Sequence, residues 1–207
     1  MHTSKNTLYA GTELAQADKA IVLLHGRGGS PQDLLDLSRH LDLPGFALVA
    51  PAATQRSWYP LSFLALEQSN QPWLDSALEL VHETLEYLET QVGDSKKIHL
   101  MGFSQGACLA LESVARRPKA YGGVYALSGG LIGLGVNQQA FPGSLENTPV
   151  FLGCSDIDAH IPKDRVLESA QVLEEMGAKV KATLYPNFGH TVNEDELQQV
   201  QAILNAS

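Results

Sequence analysis

The sequence predicts an α/β fold, a mostly parallel sheet with helices on both faces, and three observations lead there. Short apolar, β-branched runs alternate with amphipathic runs of helical period along the chain. Several of the apolar runs are continuous rather than alternating, as strands covered on both faces require. The stretches able to carry chemistry fall where those runs end, which is where ligands bind in such sheets.

Each element can be justified in turn. Residues 20–26, AIVLLHG, read as a buried strand by length and β-branching. Residues 30–41 read as a helix with Ser30 as N-cap, Pro31 at the first helical position and Asp33 in the first turn. A strand at 46–51 leads into an irregular, aromatic-bearing loop, and an amphipathic helix runs from Trp73 to Val92. A strand at 97–101 passes into a small-residue helix at 104–117, closed by Pro118. Another buried strand follows at 121–129. Residues 130–148, rich in Gly, Gln and Asn, are expected to be a surface excursion. Strand 149–155, helix 163–178 and strand 179–186 complete the alternation. The last helix opens at Asn193, with Glu196 three residues on as a capping box. Neither a repeat nor a linker interrupts the pattern, so residues 1–207 are expected to form one domain.

Composition narrows the function classes. The chain is 44% hydrophobic and 18% charged, with a net charge of −9. That charge repels a phosphate backbone, so nucleic acid is not an expected partner. No apolar run reaches the about 18 residues needed to span a bilayer. The N-terminus lacks the apolar stretch of a secretory signal, and two cysteines, Cys108 and Cys154, make no disulfide framework. The expected location is cytoplasmic. The histidines and cysteines are scattered without metal-ligand spacing, so neither metal nor cofactor is expected.

The segment GFSQG, residues 102–106, sits between a strand and a helix. Ser104 there is either a helix cap or a nucleophile on a tight elbow whose glycines avoid collisions with neighbouring elements. A hydroxyl needs a base. His190 follows the strand at 179–186 and comes last in chain order. His25 ends a strand but leads into GRGG, which suggests another role. His99 lies inside a strand and reads as structural, and His2, His40 and His82 read as solvated surface. An acid is expected after strand 149–155, where Asp156 and Asp158 both qualify, one to orient the imidazole and the other to cap a turn. The backbone N–H groups of Gln105 and Arg27 are the expected oxyanion donors. The Arg27 side chain is a candidate for attracting an acidic substrate group. Cys108 and Cys154 read as core residues.

Together, LLHGRGG, GFSQGA, GCSDIDAHIP and YPNFGHTVNEDEL resemble the phospholipase/carboxylesterase family of α/β-hydrolases, which includes the acyl-protein thioesterases; the similarity runs from about residue 20 to the C-terminus. The resemblance implies an α/β-hydrolase fold with a minimal cap and a shallow, open site. It implies Ser104 as nucleophile, His190 as base and Asp158 as acid, although Ala159 stands where the family commonly has proline. Arg27 occupies the family's usual leucine position after His-Gly. Trp58, Tyr59 and Phe63 become candidate walls of a substrate site. The implied reaction is hydrolysis of short- to medium-chain carboxylic esters through an acyl-enzyme. Thioesterase or lysophospholipase action on longer acyl chains and a non-catalytic binding role are the alternatives. The implied partner is a small ester or thioester, with a homodimer left open.

Overall fold

The computed structural model describes residues 1–136 and 138–206. Its sheet has seven strands: β1 (Leu8–Gly11), β2 (Lys19–Leu24), β3 (Phe46–Ala50), β4 (Ile98–Phe103), β5 (Gly123–Leu127), β6 (Pro149–Ser155) and β7 (Lys179–Tyr185). Their order is β1-β3-β2-β4-β5-β6-β7, and every neighbouring pair is parallel except β1 with β3. The helices are α1 (Pro31–Ser38), α2 (Trp73–Val92), α3 (Gln105–Arg116), α4 (Lys163–Glu175) and α5 (Glu194–Ala206). No helix among the described residues is long and apolar enough to cross a membrane.

Successive residues of the central strands serve opposite cores. In β2, Ala20, Val22 and Leu24 join the core under α2 and α3, which continues under α4 farther along the sheet, whereas Ile21 and Leu23 join the core beneath α1 and α5. Leu34 and Leu35 of α1 and Val200 and Leu204 of α5 close that second layer. Each such side chain contributes roughly 1.5–3 kcal/mol on burial, so two covered faces hold the sheet rigid.

Three expectations need correction. Strand β1 was not anticipated, because its four residues are all exposed and leave no burial pattern to read; only its antiparallel bonds to β3 define it. The segment 130–148 is not wholly superficial. Leu131 and Ile132 are buried, and the inward Arg165 donates to Leu131 O (3.0 Å) and Gly133 O (2.8 Å), satisfying carbonyls that would otherwise be stranded. Asn137 in this segment lies outside the described residues. Finally, His2 and His82 are buried. His2 Nε2 donates to Trp58 O (2.9 Å) while its Nδ1 accepts the Thr54 N–H (3.0 Å). His82 lies on the inner face of α2 and meets Ser113 O at 3.0 Å. Burial lowers both pKa values and favours the neutral rings these bonds use.

Candidate active site

The parallel strands β4, β6 and β7 all end at the same edge of the sheet, and the loops leaving them carry the chemistry. Ser104 follows β4 with φ 55° and ψ −119°, outside the usual range for a residue with a side chain. The serine makes no side-chain cap bond to α3. Its hydroxyl faces His190 instead, with Oγ 2.9 Å from Nε2. The serine therefore does not cap α3 through its side chain.

The flanking glycines explain how the elbow is tolerated. A Cβ at Gly102 would overlap the Gly106 carbonyl, and one at Gly106 would overlap the Leu24 and His25 carbonyls. Rigid backbone stands in the way in both cases. Gly106→Ala is therefore expected to cost about 3 kcal/mol, a fall in Tm of roughly 6–12 °C. Thermal unfolding checks this, and an unchanged Tm would show that the strand–helix packing is looser than described.

His190 sits in the loop between β7 and α5. Its Nδ1 lies 2.6 Å from Asp158 Oδ2, and the Phe103 ring packs 5.0 Å from its own. The Asp158 side chain is fully buried and that of His190 is 21% exposed. Asp158 Oδ1 accepts the N–H groups of His160 (2.8 Å) and Ile161 (3.0 Å). Burial alone would raise the Asp158 pKa, but the bonds from His190 and the two amides outweigh it and hold the carboxyl below its ordinary range. Asp156 does a different job: its Oδ1 accepts the Asn187 N–H at 2.8 Å and so anchors the turn after β7. At the start of α5, Asn193 and Glu196 exchange the two bonds of the expected capping box, at 2.8 and 2.9 Å.

The neighbouring turn approaches from β2. Gly28 N–H donates to Arg56 O and Gly29 N–H to Gly26 O, and among the described residues no backbone acceptor takes the Arg27 N–H. Gln105 opens α3, so its N–H lies in the first turn, where amides have no intrahelical acceptor. Its side chain clamps the aromatic loop, accepting the Trp58 N–H (2.8 Å) and donating to Tyr59 O (2.8 Å). His25 is structural: Nε2 accepts the Ala53 N–H (3.1 Å), so Nδ1 donates to Gly26 O (2.7 Å).

A cavity of about 400 Å³ opens over these groups, lined by Arg27, Tyr59, Phe63, Ser104, Gln105 and His190 among others. Trp58 does not line it. This residue is fully buried, held by its indole N–H bond to His25 O (2.8 Å) and packed between the rings of His2 and His25. The sequence reading placed an aromatic in the wall because it could not tell which aromatic of a loop turns inward. Conversely, His160 and Ile161 line the cavity and were not singled out; His160 packs edge-on to His190 at 4.8 Å. No periodicity marks a loop residue of that kind. Cys108 lies at the cavity too, but burial pushes its thiol up to about 12, which leaves no thiolate at neutral pH. Among the described residues, no group of His, Cys, Asp or Glu is arranged to hold a metal ion.

Comparison with known proteins shows the family to which the chain belongs. The family pattern described as Phospholipase/Carboxylesterase matches residues 12–207. A crystal structure of a phospholipase/carboxylesterase from Dyadobacter fermentans superposes with a TM-score of 0.94 at 44% identity, covering 98% of this chain and 97% of that one. A probable carboxylesterase of Oryza sativa is 27% identical over 91% of this chain and 77% of its own. Acyl-protein thioesterase 1 of Debaryomyces hansenii is 26% identical over 87% and 88%.

Proposed function

Because this chain belongs to the phospholipase/carboxylesterase family of hydrolases, we propose that it is a serine carboxylesterase that cleaves short- to medium-chain carboxylic esters through an acyl-enzyme. The observation that carries this reading is the continuous chain of contacts from Ser104 Oγ through His190 to the buried Asp158 carboxylate.

The chemistry follows from that chain. With Nδ1–H donated to Asp158, His190 Nε2 is left as an acceptor for the Ser104 proton. Ser104 Oγ attacks the ester carbonyl, and the imidazolium that forms is stabilised by the ionised Asp158. The developing oxyanion is received by the Arg27 and Gln105 N–H groups at the positive end of α3. Donors of this kind are each worth on the order of 10²–10³ in rate. His190 then protonates the leaving alkoxide, and water enters to hydrolyse the acyl-enzyme by the reverse sequence of proton transfers. Tyr59 and Phe63 supply apolar wall for the substrate.

A series of p-nitrophenyl esters from acetate to palmitate tests the reading. The expected profile peaks at short to medium chains. A peak at palmitate would instead assign the chain to long-acyl thioesterase or lysophospholipase work. Inertness toward every ester by folded protein would favour a binding role.

A further inference from the structure

One cationic side chain lining the cavity has no part in the chemistry proposed above. Arg27 lines the cavity, and its guanidinium is not free to wander. Nη1 donates to Pro60 O (2.8 Å) and Ser57 Oγ (3.1 Å), and Nη2 donates to Leu61 O (2.6 Å), while the group lies 6.0 Å above the Tyr59 ring. All three acceptors are neutral. Four of the five other arginines, Arg39, Arg116, Arg117 and Arg165, each sit against a carboxylate, Arg56 being the exception among the described residues. The cavity lining contains no Asp or Glu among the described residues, and a smaller cavity of about 240 Å³ that also borders Arg27 contains none either. A guanidinium has five N–H donors, and the three bonds above leave the Nε–H and one Nη2–H for a further acceptor.

We infer that the Arg27 guanidinium is a specificity determinant, and that the ester substrates this chain handles best carry a carboxylate. The inference rests on the esterase reading above and names its substrate class. Carbonyl and hydroxyl dipoles hold the cation without cancelling its charge. The side chain has already lost its rotamer freedom in the three bonds, so a carboxylate meets a preorganised cation and two available donors. The overall charge of −9 makes such a local positive site the place where an anionic substrate is least repelled.

The test compares matched pairs of esters in the intact protein. On the acyl side, mono-p-nitrophenyl adipate is set against p-nitrophenyl hexanoate, which share a leaving group. On the alcohol side, p-carboxyphenyl butanoate is set against phenyl butanoate. Wild type is expected to show a higher kcat/KM for the charged member of at least one pair, a preference that shrinks as ionic strength rises. In Arg27→Gln the charged-to-neutral ratio is expected to fall about tenfold, and Arg27→Lys to retain part of it. An equal loss on both members of a pair would identify Arg27 as a loop clamp only and overturn the inference. So would a wild-type preference for the neutral ester in both pairs, whatever the variants do. Wild type inert toward all the esters, neutral ones included, would defeat the esterase reading itself.

Discussion

Ser104→Ala is expected to lower kcat/KM on the preferred ester by on the order of 10³ or more, about 4 kcal/mol of transition-state stabilisation, with little change in Tm. Both halves of this expectation come from the same geometry. The hydroxyl is the only side-chain group of the elbow that the proposed chemistry uses, and it makes no cap bond whose loss would weaken α3. Alanine occupies the same positive-φ conformation with a side chain of similar demand, so the elbow strain is carried over unchanged. What remains in the variant is the oxyanion site and the cavity, which account for a residual rate above background. Retained wild-type turnover on any ester would remove Ser104 from the mechanism and return it to an architectural role. Burial leaves the nearby Cys108 thiol protonated, so it is not a ready substitute nucleophile.

The second large effect separates the two loop aspartates. Asp158→Asn is expected to reduce kcat by on the order of 10³–10⁴, and Asp156→Asn by less than about tenfold. The reason lies in the hydrogen-bond partners of Asp158. Its Oδ1 accepts two backbone N–H groups, from His160 and Ile161. An asparagine there must turn its carbonyl oxygen toward those donors, which points its NH₂ group at His190 Nδ1. The imidazole can then satisfy that donor only by moving its own proton to Nε2, where it can no longer receive one from Ser104. The variant keeps the shape of the site and loses the tautomer. At position 156 the amide substitution costs little, because an asparagine carbonyl still accepts the Asn187 N–H. Steady-state kinetics of the two variants decides the matter, and a larger loss for Asp156→Asn would reverse the assignment.

How much of this was legible beforehand depends on the range of the forces involved. The alternation of strands and helices, the α2 boundaries and the capping box of α5 follow from periodicity and from bonds spanning three or four residues. The elbow pattern is a short local motif, although only Gly102 meets near neighbours in the chain, Gly106 and Ala107, whereas Gly106 meets the distant Leu24 and His25 carbonyls of the adjoining strand. By contrast, Asp156 and Asp158 are two residues apart and chemically identical, so spacing arguments left both open and only the family resemblance favoured one. Their difference arises from what each meets across the fold, His190 for one and Asn187 for the other. The burial of Trp58, His2 and His82 has the same origin: the tryptophan reads as a wall of the site and the two histidines as surface until a distant carbonyl meets each ring nitrogen.

The sequence by itself thus determined the α/β class, the position of the elbow motif and the order of the chemistry-bearing loops, because the 3.6- and 2-residue periods and a five-residue glycine-serine-glycine pattern are properties of near neighbours in the chain. Only the tertiary structure decided which carboxylate reaches His190, which aromatic faces the cavity and that, among the described residues, no carboxylate pairs with the Arg27 cation. Those outcomes depend on contacts between residues some 30 to 90 positions apart, where chain connectivity carries no information and packing alone selects the neighbour.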